Sequence, residues 1–449
     1  MIIKLYPSWS RRRNAVLLVG DRDSTYTISY LAAILETTGL DEKVEVYVSK
    51  NPCIAPEHIR FLSNLHEKLI IAYTLRTTSL VWSVDCVREV VRAPRSLSNT
   101  VVVAGGPHAS GDPAGTLGLG FNYVFHGEAE HSLPAFIMEY LDSSFDARSI
   151  PNLFYQEDGG VRFTFKSRVD ELDYYKPFPT RAGWFTPIEI VRGCPFACRF
   201  CQVSYMFGCK PRFRSVDSIL EYSRIMLESG FRDLRFIAPN SLGYGSRSGF
   251  EPEIDVLEEL LSRLYKLARG YGGRLFIGSF PSEVRPEFIC SDTIRLLEKY
   301  AYNKRVVIGA QSGSNEVLRL MHRMHSIEDV YNAVEQLVSR GFRVDVDFIL
   351  GLPGESDYRE TVNAMERIVR LGGVVHIHYF MPLPGTPLAG CNPSSVPGWV
   401  LKWIARETGR GRVYGCLERQ MEITRRIIML REEGVFRMDK CILSQSCPA

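Results

Sequence analysis

The sequence predicts an α/β protein in which a doubly wound parallel sheet is followed by a partial barrel of six strand–helix units. Three observations lead to this fold class. Short apolar or β-branched runs alternate with helical patterns over the first ~145 residues, and the alternation resumes near residue 184. Glycine-rich or hydroxyl-rich turns follow the runs, which is where parallel sheets bind their ligands.

The first block is typical of a Rossmann-like sheet, because its strands alternate with helices that cross over the sheet. The predicted strands are 15–20, 43–49, 68–75, 100–106 and 122–127. We assign residues 1–147 to this domain. Residues 148–183 contain a hairpin signal at "DGG" and a proline-punctuated end, so we interpret them as a linker.

The second block predicts a TIM-like partial (β/α)6 barrel over residues 184–390. Its predicted strands are 187–193, 233–240, 274–280, 305–313, 342–351 and 374–383. Several of the intervening helices open on Ser or Asp and close on Gly, which are the usual start and stop signals. The alternation stops after that, and residues 391–449 predict a C-terminal helical extension.

Composition narrows the class of protein. The 449 residues allow two or three domains, and a net charge of +3 neither requires nor excludes nucleic acid. No apolar run is long enough to span a bilayer and the N-terminus is a poor signal peptide, so we predict a cytoplasmic protein without a membrane span. Eleven cysteines in a large chain then favour metal ligands or catalytic groups over a disulfide framework. We expect most of the scattered cysteines to be small buried hydrophobes, and these are Cys53, Cys86, Cys290, Cys391, Cys416, Cys441 and Cys447.

Four further cysteines crowd the segment "RGCPFACRFCQVSYMFGCK", at positions 194, 198, 201 and 209. The first three are spaced C-x3-C-x2-C. A zinc site usually uses paired cysteines or a cysteine–histidine set, and no histidine lies near this segment. Three thiolates can instead hold three irons of a four-iron cluster and leave the fourth iron open. The segment follows the first predicted barrel strand, which places it on the catalytic face.

This segment resembles the cluster loop of the radical S-adenosylmethionine (SAM) enzymes, C-x3-C-x-Φ-C, with Phe200 as the aromatic residue. The segments "RVVIGAQSGSNEVLRLMHRMHSIEDV", "VDFILGLPGESDYRETV" and "YFMPLPGTPLA" also resemble core segments of the methylthiotransferase-type and cobalamin-dependent branches. The resemblance implies a [4Fe-4S] cluster on Cys194, Cys198 and Cys201. It also implies reductive cleavage of SAM to a 5′-deoxyadenosyl radical, with the cofactor supplying the chemistry.

The same resemblance implies the SAM contacts. Phe200 is expected beside the adenine, Gln311 and Ser312 near methionine or ribose, and Arg323 at a position where the related pattern has a basic residue. Ile349 and Leu352 are expected to line the adenine pocket. The Gly-Gly-Glu motif of many members is replaced by "IAPNSLGYG", so Asn240, Ser241 or backbone carbonyls are expected to hold the amino group.

The N-terminal block resembles the cobalamin-binding domain of one radical SAM branch. "GGPHAS" and "HGEAE" match its turns after the fourth and fifth strands, and their glycines let the backbone approach a corrin or its nucleotide tail. The resemblance implies cobalamin contacts at Gly105, Gly106, Pro107, His108, Gly127 and Glu128. The loop "GDRDSTYTIS", which includes Thr25, lacks the cobalt-ligating histidine of many cobalamin proteins. Arg76 or Thr77 is then expected to face the lower side of the corrin.

With both cofactors, the leading function is methylation of an unactivated carbon of an unknown substrate. The partners implied are that substrate and an electron donor such as ferredoxin or flavodoxin. The alternatives are radical rearrangement or ring formation with or without cobalamin, methylthiolation of tRNA or protein, and a cofactor carrier or sensor without turnover. Methylthiolation is disfavoured, because the methylthiotransferases that the core resembles carry a second cluster on three N-terminal cysteines, and this chain has only Cys53 and Cys86 there.

Two features near the cluster loop are left open by the resemblance. Cys209 lies outside the three-cysteine pattern and is either a structural residue or a reactive thiol. The basic groups of "KPRFRS" either hold an anionic substrate or form a solvated strand. The roles of Cys441 and Cys447 are not determined by the pattern.

Overall fold

The computed structural model describes residues 2–6, 13–142 and 145–438, without the side chains of residues 95 and 96. The chain forms two compact units. The first contains the described residues up to 186, together with 383–385 and 426–438. The second contains residues 187–382 and 386–425. The predicted Cys441 and Cys447 lie outside the described residues.

The first unit is built on one eight-stranded sheet in the order β1-β3-β2-β4-β5-β6-β7-β8. Its strands are β1 (Ile2–Lys4), β2 (Asn14–Val19), β3 (Val44–Ser49), β4 (Lys68–Thr74), β5 (Thr100–Gly105), β6 (Tyr123–Phe125), β7 (Leu153–Glu157) and β8 (Gly160–Phe163). Its helices are α1 (Thr25–Thr37), α2 (Pro56–Leu65), α3 (Thr77–Arg92), α4 (Gly106–Gly111), α5 (Pro113–Leu119) and α6 (Ser132–Leu141).

Strands β2 to β6 run parallel, which confirms the predicted doubly wound sheet. The chain passes from β2 to β3 on one side and then returns to β4 on the other, so the order reverses between β2 and β4. Crevices outside the carboxyl ends of such strands are where these sheets bind ligands. The hairpin β7–β8 extends the sheet with antiparallel strands, and β1 pairs antiparallel with β3.

The predicted linker packs on the first unit through one buried carboxylate. Glu36 of α1 accepts hydrogen bonds from the backbone N–H groups of Arg181 (3.0 Å) and Ala182 (3.2 Å) and from Lys176 Nζ (3.2 Å). A buried carboxylate needs such donors to offset its lost hydration. The segment before residue 187 is therefore held by α1.

The C-terminal segment after α15 also belongs to the first unit. The Phe436 ring packs 4.5 Å from the His108 ring, and the backbone N–H of Arg437 donates to Asp112 Oδ2 at 2.9 Å. Phe436 is 1% exposed, so it is part of the core. The first unit is therefore assembled from both ends of the chain.

The second unit is the partial barrel. Its strands are β9 (Ile188–Glu189), β10 (Val191–Arg192), β11 (Arg212–Phe213), β12 (Asp233–Leu234), β13 (Phe236–Ile237), β14 (Arg274–Leu275), β15 (Arg305–Gln311), β16 (Arg343–Leu350), β17 (Val374–Tyr379) and β18 (Val413–Tyr414). Its helices are α7 (Gln202–Phe207), α8 (Val216–Glu228), α9 (Ile254–Gly270), α10 (Ser291–Tyr300), α11 (Asn315–Leu320), α12 (Ile327–Ser339), α13 (Arg359–Arg370) and α14 (Gly398–Gly409). Helix α15 (Leu417–Glu432) runs from this unit into the first.

Parallel pairing links the barrel strands in chain order. β9 pairs with β13, β12 with β14, and β15 to β18 form one ladder. Backbone hydrogen bonds from Tyr302 N to Leu275 O and from Val307 N to Gly278 O join the third strand to the fourth. The predicted barrel is confirmed, with one difference. The alternation continues past residue 390 through α14 to β18, whose two paired residues are too short to give a strand pattern.

The expectation that most of the scattered cysteines are small buried hydrophobes is wrong for those among the described residues, since three are disulfide-bonded and the other two are free thiols that are not buried. Cys53 and Cys86 form a disulfide between the segment after β3 and helix α3. A pairing across 33 residues leaves no local pattern in the sequence. Cys209 and Cys391 are also disulfide-bonded, whereas Cys290 and Cys416 are free thiols. The cytoplasmic location stays a prediction.

No helix among the described residues has the length and apolar character needed to cross a membrane.

Candidate active site

The cluster loop is closed by a short antiparallel ladder. β10 pairs with β11, so residues 193–211 form a loop at the end of the first barrel strand. Gly193 begins it with φ +85°, and a Cβ there would lie 2.8 Å from Lys210 O, so only glycine fits. Inside the loop, Ser204 Oγ donates to Cys194 O at 2.7 Å and Cys201 N donates to Cys198 O at 2.9 Å. These bonds hold the three-cysteine segment in a defined shape.

Cys194, Cys198 and Cys201 are all free thiols lining one cavity. Burial, and then the neighbouring Cys198, raise the pKa of Cys201 to about 12 and also raise the pKa of Cys194. Without metal these two thiols therefore keep their protons, and binding of iron has to displace them. Cys209 is disulfide-bonded, so its sulfur is not an additional thiolate for the site.

The basic segment after the cluster loop has a structural role. The sequence predicts either a binding site for an anionic substrate or a solvated strand. Arg212 and Arg214 are buried rather than solvated. Arg212 Nη2 donates to Phe207 O at 3.0 Å and Arg214 Nε to Glu189 O at 3.1 Å. Their guanidinium groups brace the ends of the loop and are not offered to an anionic substrate.

The cavity has a volume of about 390 Å³. It brings together the three cysteines and four other residues singled out from the sequence, namely Phe200, Gln311, Arg323 and Ile349. It also contains polar residues that the sequence analysis missed, and these are Glu283, Arg285, Asp347 and His378. The cavity lining thus combines apolar side chains with several charged ones.

Four of the predicted SAM contacts lie outside the cavity lining. Leu352 is fully buried in the apolar cluster on which Phe200 and Ile349 pack. Ser312 is also fully buried and its hydroxyl donates to Glu355 Oε1 at 3.4 Å. Asn240 Oδ1 accepts from Arg285 N at 3.3 Å, and Ser241 N donates to Glu283 O at 3.0 Å. Asn240 and Ser241 therefore position the segment that carries Glu283 and Arg285.

The imidazoles of His376 and His378 both lie beside the carboxylate of Asp347. His376 Nδ1 lies 2.8 Å from Asp347 Oδ1, and His378 Nε2 lies 3.8 Å from Asp347 Oδ2. Gln420 Oε1 accepts from Tyr379 N at 2.6 Å, so its Nε2 must donate to His378 Nδ1 at 3.3 Å. Neutral His378 then carries its proton on Nε2, the nitrogen that faces Asp347.

Asp347 and Glu283 are neighbouring carboxyl groups whose pKa values are shifted in opposite directions. Burial would raise the pKa of Asp347, but the hydrogen bonds from His376 and His378 lower it. Burial, and then the charge of Asp347, raise the pKa of Glu283. The cavity therefore holds an ionised Asp347 beside a Glu283 that keeps its proton more readily, an acceptor next to a donor.

In the first unit, the guanidinium group of Arg76 lies at the crevice between β2 and β4. Arg76 Nη2 lies 3.2 Å from Asp21 Oδ1 and 2.9 Å from Asp23 Oδ2, and Ser79 Oγ also donates to Asp21. Arg76 follows β4 and Asp21 follows β2, so both stand at the carboxyl ends of the strands where the order reverses. Thr25, at the start of α1, donates its hydroxyl to Arg22 O at 2.7 Å.

Some of the other predicted cobalamin contacts are half-buried at the ends of strands, and the rest are buried inside the first unit. Gly105, Gly106, Pro107 and Gly127 are half-buried at strand ends. His108 and Thr77 are buried, and His108 Nδ1 lies 3.0 Å from Thr77 Oγ1. Glu128 is buried as well, and its Oε2 accepts from Val169 N at 2.8 Å. His108, Thr77 and Glu128 therefore stabilise the turns from inside.

The comparisons with known proteins agree with this geometry. Residues 188–382 match the Radical SAM superfamily. These residues span β9 to β17 and include the cluster loop and every residue that lines the cavity. Residues 188–382 therefore form a radical SAM domain, which confirms the predicted resemblance.

The curated relatives match less than half of the chain. The tRNA-2-methylthio-N(6)-dimethylallyladenosine synthase of Acidithiobacillus ferrooxidans is 30% identical over 192 residues, which are 42% of this chain and 41% of that protein. The enzyme of the same name from Buchnera aphidicola is 32% identical over 196 residues, 42% of each chain. The chain thus spans about two fifths of the length of these relatives.

Solved structures resemble the fold over more of the chain. The radical SAM methyltransferase TsrM from Kitasatospora setae, with cobalamin and a [4Fe-4S] cluster bound, gives a TM-score of 0.67 at 18% identity, covering 85% of this chain and 79% of that one. The cobalamin-dependent radical SAM enzyme OxsB gives 0.61 at 14% identity, covering 79% and 52%. At these identities the likeness concerns the fold.

Glu355, beside the cavity, gives a pH-dependent prediction. Burial raises its pKa from 4.5 to about 7, and its Oε2 has no hydrogen-bond partner among the described residues. An acid whose folded pKa is raised destabilises the fold as pH rises from the unfolded pKa to the folded one. We expect the free energy of unfolding of the wild type to fall, relative to Glu355→Gln, by about 2 kcal/mol between about pH 5 and about pH 7.5.

Urea unfolding of both proteins at several pH values measures this difference. A wild-type curve that runs parallel to that of Glu355→Gln across the whole range would show that Glu355 ionises normally. Glu316→Gln, on α11 of the same unit, is the control and should leave the pH dependence unchanged.

Proposed function

We propose that this radical SAM enzyme binds cobalamin in its first unit and methylates an unactivated carbon of its substrate. The observation that carries the proposal is the reversal of strand order between β2 and β4, which forms a crevice at the carboxyl ends of these strands. Arg76 lies at this crevice, and Gly105 and Gly106 follow at the end of β5. A likeness of fold to two cobalamin-dependent enzymes, extending over both units, supports it.

The donor set of the second unit fits a cluster and SAM. Three free thiols on one loop leave one iron of a four-iron cluster for the cosubstrate. Arg323 offers a cation for a carboxylate, and the ionised Asp347, together with the carbonyl oxygen of protonated Glu283, offers acceptors for an ammonium group. Phe200 and Ile349 supply the apolar wall for an adenine. Glu283 and Asp347 thus replace Asn240 and Ser241 as the groups that we assign to the amino end of SAM.

The cluster, once bound, supplies the electron that cleaves SAM and starts the radical chemistry. The protein's own residues bind and orient the cosubstrate and keep the cavity dry. An external donor such as a ferredoxin or flavodoxin provides the electron. In the first unit, Asp21 and Asp23 hold the Arg76 guanidinium at the carboxyl end of β4, from where it would face a bound corrin.

Methylthiolation is the second candidate, because the curated relatives carry that activity in their names. A second cluster in the first unit would need thiolates. The two cysteines there, Cys53 and Cys86, are bonded to each other. This disulfide favours the cobalamin reading over a second cluster.

The test uses anaerobically reconstituted protein, hydroxocobalamin, a strong reductant and SAM with a deuterated methyl group. We expect bound corrin that acquires the labelled methyl group, detected by its absorbance and by mass spectrometry. Protein that cleaves SAM but retains no corrin contradicts the cobalamin proposal and favours a cobalamin-free radical reaction. A comparison of methylated products in cells with and without the gene then identifies the substrate.

A further inference from the structure

Arg285 makes an unusual set of contacts beside the cluster loop. Its side chain is almost fully buried, and its Nη1 lies 3.8 Å from Cys198 Sγ. Its guanidinium carbon stacks 3.4 Å from the centre of the Phe196 ring. Its Nε donates to Glu287 Oε1 at 2.6 Å, whereas Nη2 is buried without a hydrogen-bond partner among the described residues. A buried donor without a partner is costly, which suggests an acceptor that occupies the cavity.

A second guanidinium converges on the same sulfur. Arg323 Nη1 lies 3.5 Å from Cys198 Sγ, and Arg323 Nη2 donates to Gly309 O at 2.5 Å. Among the described residues, neither guanidinium makes such a bond to Cys194 or Cys201. Cys198 is therefore the ligand whose sulfur carries the cationic hydrogen bonds.

The surroundings hold Arg285 in place. Glu287 is bonded to Arg285, and His325 Nδ1 lies 3.4 Å from the other oxygen, Oε2. His325 Nε2 in turn lies 3.2 Å from Ala310 O, so the carboxylate is tied to the barrel wall. Phe196 fixes the opposite face of the guanidinium by cation–π stacking. A guanidinium held on both sides cannot easily turn away from the sulfur.

We propose that Arg285 raises the reduction potential of the cluster by donating a charged hydrogen bond to Cys198. The proposal rests on the cluster that the radical SAM domain binds, and is independent of cobalamin and of methyl transfer. Reduction adds negative charge that spreads onto the ligand sulfurs, so a fixed cation and N–H donor stabilise the reduced cluster more than the oxidised one. Burial strengthens the effect, because little water screens the charge.

The test is an anaerobic redox titration of reconstituted protein, followed by electron paramagnetic resonance, without SAM. We expect the midpoint of Arg285→Gln to shift to a more negative potential at unchanged iron and sulfide content. Arg285→Lys keeps the charge but lacks the rigid fork that aims an N–H at the sulfur, so we expect a smaller but still measurable shift to a more negative potential. Arg235→Gln is the matched control, since Arg235 also stacks on a phenylalanine (4.0 Å from Phe276) but donates to Phe280 O.

Each outcome decides the proposal. A midpoint of Arg285→Gln equal to that of the wild type, at full iron content, means that Arg285 only supports the loop. If Arg285→Gln loses iron, Arg285→Lys at full iron content decides, and a wild-type midpoint there overturns the proposal. A shift equal to that of Arg235→Gln also overturns it. A specific shift in protein that binds no cobalamin leaves this inference standing while the proposed function fails.

Discussion

Cys198→Ala is expected to abolish both the four-iron signal and the cleavage of SAM. Cys198 is one of three free thiols on the cluster loop, and its removal leaves two ligands for a cluster that needs three. It also leaves the buried Arg285 and Arg323 without their shared acceptor, which adds a desolvation cost. Iron content, absorbance and the yield of 5′-deoxyadenosine measure the loss.

Cys416→Ala is the control for this experiment, because Cys416 is a free and exposed thiol. It should keep wild-type iron content and cleavage. Cleavage that survives in Cys198→Ala would mean that the loop does not hold the cluster through these three residues. A variant that merely unfolds is recognised by its circular dichroism.

Gly105→Val is expected to weaken cobalamin binding by about tenfold or more, equivalent to at least ~1.4 kcal/mol, without lowering the melting temperature. The backbone at Gly105 has φ −148°, which any residue adopts, and an added Cβ would meet only Phe125 Cβ at 3.6 Å. The protein's own packing therefore does not require glycine at the end of β5. If a corrin or its tail approaches this backbone, the valine side chain obstructs it.

Titration with hydroxocobalamin measures the effect. Gly160→Val is the matched control, because Gly160 begins an exposed strand of the same sheet and its Cβ would lie 3.7 Å from Glu157 O. Gly106 is unsuitable, since its φ of +88° and a 2.7 Å approach to Thr74 Oγ1 would disturb the turn itself. Equal affinity in Gly105→Val and wild type would place cobalamin elsewhere or exclude it.

The alternation of strands and helices was readable from the sequence because each buried strand is a short, nearly continuous apolar run. Runs such as "AVLLVG" become β2, and the turn glycines mark the strand ends. β18 was missed because two paired residues give no periodicity. The return of residues 426–438 to the first unit was missed because a helix pattern does not say what the helix packs against.

The cysteine loop was predictable, whereas the charged residues that line the cavity were not. Asp347 and His378 sit in strands that read as apolar, and a polar residue at alternate positions of a buried strand is the available signal for a barrel interior. Glu283 and Arg285 lie on a segment without regular structure after β14, where spacing carries no information. Asn240 was expected to contact SAM because its segment stands where related enzymes have a Gly-Gly-Glu motif, but its amide oxygen accepts a hydrogen bond from Arg285 N.

The contact between Phe436 and His108 also bears on the order in which the protein is made. A ribosome releases residues 1–186 first, and domains generally begin to fold as they emerge. The first unit nevertheless lacks the ring that covers His108, and the backbone N–H group that Asp112 accepts, until the chain has been synthesised to residue 437. The domain that emerges earliest is thus completed last, after the whole barrel has left the ribosome.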